Sequence, residues 1–317
     1  MSVRSTAVVA ACAALLGAAG CGVGAGESAE SVQLRVTDGF GERTLAQSAD
    51  AETRGEDTIM RVLQRGAPDV KTRFGGGFVQ SIAGRSGSTG GRRLDWFFYV
   101  NGYISDKGAA QVKVRSGDRI WWDRHDWSVT DRIWAVVGSF PEPFIHGYDG
   151  NRHPVRIECG TDEDTCKDVQ SRFTGYDIVA GLGNVSRSFT KQTLRVLVGP
   201  WPALDGDSVA RTIALGPKES GVFARISPDG KTITTLDERG RTVRTLGPGT
   251  GLIAATAPEG VEQVQSGPVR KDPVWVVTGT DDAGVRAAVD AFDEGALAGA
   301  FAVVVTGGQP VPLPERR

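Results

Sequence analysis

The segment Asp95 to Gly102, D-W-F-F-Y-V-N-G, constrains the fold of this chain more than any other. Asn-Gly between apolar runs predicts a two-residue β-hairpin turn, because both central residues of a type I′ turn need positive φ. Strand alternation then puts Trp96, Phe98 and Val100 on one face and Phe97 and Tyr99 on the other. Trp121 and Trp122, adjacent in R-I-W-W-D, likewise point to opposite faces. A sheet that is aromatic on both faces must be covered twice. The first cover is the domain's own core. The second is either another part of the protein or a bound molecule with a flat or greasy surface. Trp96 to Tyr148 holds 12 of the chain's 23 aromatic residues (7 Trp, 4 Tyr, 12 Phe) in 53 of its 317 positions, so both alternatives centre here.

Around this hairpin the pattern is that of a small α+β domain. Val32 to Val36 alternates and reads as a strand ending at the Asp38-Gly39 turn. Thr58 to Leu63 reads as a short helix with Ile59, Met60, Val62 and Leu63 on one side and Gly66 as its stop. Phe78 to Ala83 reads as a strand, and Gly84 to Gly91 as a loop without core-forming residues. Val112 to Val114 and Arg119 to Asp123 are expected to form a further hairpin around Ser116-Gly117-Asp118.

The same residues carry a resemblance. W-F-F-Y-V-N-G at 96–102, D-K-G-A at 106–109 and G-D-R-I-W-W at 117–122 resemble the hairpin, turn and strand of the transcobalamin-like C-terminal domain family, over roughly residues 32–128. The resemblance implies a β-grasp-like N-terminal domain. It also implies a corrinoid such as cobalamin as the candidate ligand, since in the vitamin B12 carriers a domain of this type covers one face of the corrin ring. Phe97, Tyr99, Trp121 and Trp122 are then the candidate ligand-facing residues. His125 joins them as a corrin-facing group, an acid/base partner of Asp126, or a hydrogen-bonding residue at the sheet edge.

Arg4 followed by the small, apolar run Ala7 to Gly20 reads as an export signal over residues 1–20. It is too short and too rich in Ala and Gly to span a membrane. Gly20-Cys21 resembles the end of a bacterial lipobox, which implies a lipid on Cys21 and a protein anchored at the extracytoplasmic face of the cell membrane. The alternative is cleavage within Gly22 to Gly26 and secretion. Residues 21–31 then form a flexible tether. Export removes Cys12 and lipidation occupies Cys21, so Cys159 and Cys166 are expected to form a disulfide. A metal site built on these cysteines with Asp162, Glu163 and Asp164 lacks a second Cys pair or a nearby His. Thr161 and Asp164 read as a capping box that starts a helix.

The N-terminal domain is expected to span 32–137. Residues 138–154, rich in Pro, Gly and aromatics, read as a connector at the domain boundary. Beyond it, apolar, mostly β-branched runs alternate with the helical patterns Asp164–Phe173, Asp207–Ile213 and Asp281–Phe292. This predicts an α/β domain over 155–317 with a mixed sheet. Val274 to Val305 reads as a βαβ unit with adjacent parallel strands, and Ile226 to Thr235 as an antiparallel hairpin.

Familiar catalytic and cofactor signatures are absent. There is no G-x-S-x-G. Asp229-Gly230-Lys231-Thr232 imitates the end of a phosphate-binding loop, but Arg225 stands at the position of its first Gly. Gly181-Leu182-Gly183 is followed by Ser186 where a dinucleotide fingerprint needs its third Gly. The strand-to-helix turn Thr278-Gly279-Thr280-Asp281-Asp282 has the geometry of an anion site, yet its aspartates repel an anion and suit capping. A net charge of −2 gives no field for nucleic acid, and Arg85, Arg92 and Arg93 read as a solvated loop. The sequence therefore points away from an enzyme and from any bound cofactor. It points to a lipoprotein that binds a planar or hydrophobic small molecule, with transporter components as partners. The alternative is a structural or protein-interaction module of the cell envelope.

Overall fold

The computed structural model describes residues 27–88, 93–131, 133–148, 150–186, 192–257, 262–264, 267–269 and 273–317, with backbone alone for 262–264 and 267–269. The export segment, Cys21, the first half of the tether, and Arg92 with residues 89–91 of the basic loop lie outside the described residues. The chain is α+β, with several sheets and few helices.

The N-terminal domain runs β1 (Gln33–Asp38), β2 (Arg43–Ser48), α1 (Ile59–Gly66), β3 (Lys71–Arg73), β4 (Phe78–Ile82), β5 (Arg85–Ser86), β6 (Leu94–Val100), β7 (Tyr103–Ile104) and β8 (Arg119–Asp126). The main sheet has the order β2-β1-β8-β6-β7, in which β1 and β8 are parallel and the other pairs antiparallel. The turn between β6 and β7 is Asn101-Gly102, with φ of 54° and 75° as its sequence requires. Thr58 caps α1 by accepting the N–H of Arg61. Ile59, Met60, Val62 and Leu63 on α1 bury against Leu34, Val36, Trp96, Ile120 and Trp122 on one face of the sheet.

The hairpin expected at Val112 to Val114 does not form. That segment instead meets the entry to α1, where Ile59 N donates to Val112 O and Val114 N to Asp57 O. The described part of the tether is docked rather than free: Gly117 N donates to Glu30 O, and Gly55 N to Ser28 Oγ.

The C-terminal part runs β9 (Val155–Cys159), α2 (Glu163–Thr174), β10 (Ala180–Asn184), β11 (Leu194–Pro200), α3 (Trp201–Leu204), α4 (Ala210–Ala214), α5 (Pro217–Ser220), β12 (Ala224–Ile226), β13 (Ile233–Leu236) and β14 (Thr242–Leu246). It continues through β15 (Gly251–Thr256), β16 (Glu262–Val264), β17 (Gly267–Val269), β18 (Val274–Gly279), α6 (Asp282–Asp290), α7 (Glu294–Leu297), β19 (Ala302–Thr306) and β20 (Gln309–Leu313). Seven strands form a mixed sheet of order β10-β9-β11-β18-β15-β19-β20. The expected unit β18-α6-β19 is present, but its strands are not neighbours. β15 lies between them, antiparallel to both, and its run Leu252–Ala255 is buried on both faces. The hairpin β12–β13 forms as expected, in a separate sheet with β14.

Asp162 rather than Thr161 caps α2, accepting from Thr165 N. A disulfide joins Cys159, the last residue of β9, to Cys166 in the first turn of α2. The connector 138–154 is a packed strap. Phe140 and Phe144 are buried against Phe173 and Trp275, because greasy side chains on an irregular segment are stable only when covered.

Candidate functional site

The face of the N-terminal sheet opposite α1 carries Phe97, Tyr99 and Trp121, and the C-terminal part covers it. These residues, with Phe40, share one core with Leu197, Trp201, Phe223 and Phe301. The Phe301 ring meets Phe40, Tyr99 and Trp121 edge-on at 5.3, 5.8 and 5.1 Å. Glycines allow the backbones to close up. A Cβ at Gly41 would sit 2.2 Å from Gly299 O, and one at Gly138 would sit 2.6 Å from Ala300 N. Val137 N donates to Phe301 O and Gly299 N to Gly138 O, each at 3.2 Å.

A buried carboxylate fixes this junction. Asp123 accepts from Thr37 Oγ1 at 2.5 Å, Phe40 N at 3.0 Å, Gly41 N at 2.9 Å, and lies 2.9 Å from His125 Nδ1. Trp121 Nε1 donates to Thr37 Oγ1 at 2.7 Å. These contacts satisfy the carboxylate and hold the turn that inserts Phe40. Asp123 and His125 share a face because they are two apart on β8. The partner of His125 is therefore Asp123 and not Asp126. Its ring stacks on Phe97 at 4.4 Å and on Phe40 at 4.6 Å. Burial, with the Asp123 charge nearby, pushes the Tyr99 phenol well above its ordinary value. Tyr99, Trp121 and His125 are thus enclosed between the two parts and present no open surface. The second cover of the aromatic sheet is protein.

The other side of the hairpin is different. Along β6, β7 pairs with Tyr99 and Val100 alone, so among the described residues no strand lies beyond residues 94–98. An apolar groove of about 190 Å³ lies there, lined by Phe78, Trp96, Phe97, Phe98, Ile104 and Trp122 among others. Of the five residues expected from sequence, it brings together Phe97 and Trp122. Phe98 stacks on Trp122 at 4.9 Å, while the Trp122 indole N–H has no acceptor among the described residues.

Phe78 is 43% exposed at the rim, and Phe74 beside it is 88% exposed. Their rings meet edge-on at 6.4 Å across Gly75-Gly76-Gly77. Gly75 and Gly76 have φ of 67° and 94°, and a Cβ on either would touch nothing within 4 Å, so the tip stands clear of the body. The sequence signal for this rim is F-G-G-G-F at 74–78, two aromatics bracketing residues that cannot cover them. No charged side chain lines the groove among the described residues. The arrangement offers aromatic faces and an unsatisfied N–H, a setting for binding rather than proton transfer.

The places in the C-terminal part with the look of a site are closed. Strand order reverses around β9 and β11, where open α/β sheets hold ligands. Here a Cβ at Gly199 would lie 2.9 Å from the Gly160 backbone, and Gly160 N donates to Val198 O, so no crevice remains between these two strands among the described residues. On the same face, Arg195 is bidentate to Glu158 at 2.8 Å and bonded to Asp207 at 2.7 Å, all three buried. Burial opposes the Arg195 charge, but the two carboxylates outweigh it and raise its pKa. At the start of α6, the Asp281 carboxylate already takes the N–H groups of Gly249 and Gly284. Among the described residues no group of three or more His, Cys, Asp or Glu side chains is placed to hold a metal ion. No helix among them is long and apolar enough to cross a membrane.

Residues 56–126 match the model of a family described as a domain of unknown function (DUF4430). The matched range contains every residue that lines the groove. A crystal structure of a "putative metal binding protein" from Ruminococcus gnavus is similar at 16% identity and a TM-score of 0.26, covering 31% of this chain and 97% of its own. No curated protein matches the chain.

Proposed function

We propose that this protein is an extracytoplasmic, lipid-anchored binding protein whose N-terminal domain holds a planar or hydrophobic small molecule in the groove beside Phe78. The observation that carries this reading is the pairing of an apolar groove with two exposed aromatics on one projecting glycine tip. Exposed large apolar side chains that adjoin each other mark binding surfaces more often than isolated ones. A strand order with the first and last strands parallel at the centre and one helix on one face supports a β-grasp-like domain of the transcobalamin type. A corrinoid is accordingly the first ligand to test. The groove would take a ring edge or substituent, with Phe74 and Phe78 against the ring face. A transporter would be the partner that receives the ligand, and Cys21 would carry the anchor.

The sealed Tyr99 and Trp121 face favours a second reading, an envelope module whose aromatics serve packing alone. Equilibrium dialysis of the mature protein against cobinamide, cobalamin and protoporphyrin decides between them. Saturable binding of at least one is expected, and no binding of any at high micromolar concentration leaves the second reading.

A further inference from the structure

A second cleft, separate from the aromatic groove, opens where the β6–β7 hairpin and the 113–118 turn meet the connector. At about 330 Å³ it falls within the size range of small-molecule sites. Lys107, Lys113 and Arg115 line it together with His146 and Tyr148.

His146 is held in one orientation. Glu142, buried within the connector, lies 2.5 Å from His146 Nδ1 and accepts the His146 backbone N–H at 3.0 Å. The far edge of the ring lies over Gly117, where any Cβ would come within 2.3 Å of Cε1 and Nε2. Nδ1 is thus committed to Glu142, and Nε2 is the ring nitrogen left for a bound group. Among the described residues, Asp118 is the acidic residue in the lining, and its oxygens are already engaged. Oδ1 accepts from Asn101 Nδ2 at 3.0 Å and Oδ2 from Arg115 N at 2.8 Å. Burial also raises its carboxyl above the ordinary value, which lessens the opposing charge. Lys113 pairs with Glu56 at 2.5 Å, but both are exposed, and such pairs exchange readily with a competing anion.

We propose that this cleft binds a small molecule carrying a carboxylate or phosphate group. Lys107, Lys113, Arg115 and His146 surround the anion, and the Tyr148 ring provides a wall for its apolar part. The inference does not depend on the aromatic groove or on what binds there.

The chain has three histidines, so ring Cε1–H resonances give a direct readout. Inorganic phosphate and citrate are titrated separately at constant pH and ionic strength, which distinguishes the two anion classes. At least one should shift the His146 resonance to saturation. A Lys107→Ala, Lys113→Ala double variant, altered only at exposed positions, should weaken that binding at least tenfold. A Lys71→Ala, Lys231→Ala variant, also exposed but remote from the lining, should leave it unchanged. Absence of a saturable shift with either anion, or equal weakening in both double variants, overturns the proposal.

Discussion

Phe97, Tyr99 and Trp121 on the inner face of the N-terminal sheet, and Trp96, Phe98 and Trp122 on its outer face, alternate along the same two strands. The inner set meets protein at backbone range, with Gly41 against Gly299 and Gly138 against Ala300. A carboxylate with its hydrogen bonds satisfied and a stacked histidine fix the contact. The outer set is covered by α1 and by the β3–β5 hairpin, and the cover stops short at Phe78 and the glycine tip. Residue type is the same on both faces. What separates packing from an open surface is the presence of small residues opposite, which let a second backbone close over the rings.

Predictions that break or sharpen this contrast can be ranked by size. Trp121→Ala removes a buried aromatic and its bond to Thr37, and should cost about 3–5 kcal/mol in denaturant unfolding. A loss below about 1 kcal/mol would mean that the inner face is not a core. Gly41→Ala forces a methyl against Gly299 O and adds a Cβ at φ of 82°, so a loss of about 1–3 kcal/mol is expected. The same change at Gly75, whose tip touches nothing, carries only the backbone cost.

The Tyr99 phenol provides a pH test. Its folded pKa lies well above 10.0 because burial disfavours the phenolate. The unfolded chain therefore releases this proton first. Stability is fully present below the unfolded value and is lost as pH rises past it toward the folded value. Before alkaline unfolding, wild type and Tyr99→Phe should show equal phenolate absorbance. A larger signal in wild type would place Tyr99 in contact with water.

How much was legible in sequence follows the range of the interaction. The alternation at 96–100, the Asn101-Gly102 turn and the Cys159–Cys166 disulfide rest on local spacing or on elimination, and the structure has all three. The insertion of β15 between β18 and β19 rests on pairing across the chain, which no local pattern encodes. The Asp123–His125 pair is not marked by adjacency in sequence, because residues two apart, not neighbours, share a strand face. Phe78 was visible as the start of a strand. Its role at a rim depends on Phe74, and that contact is made only by the fold of the glycine run.

The most direct measurement of the central claim compares Phe78→Ala with wild type in cobinamide dialysis and in denaturant unfolding together. Phe78 is half exposed, so truncation should cost only about 1 kcal/mol, well below the loss at Trp121. If the outer groove is the binding surface, the dissociation constant should rise at least tenfold. Unchanged affinity in a stable Phe78→Ala protein would contradict the account and place the ligand elsewhere.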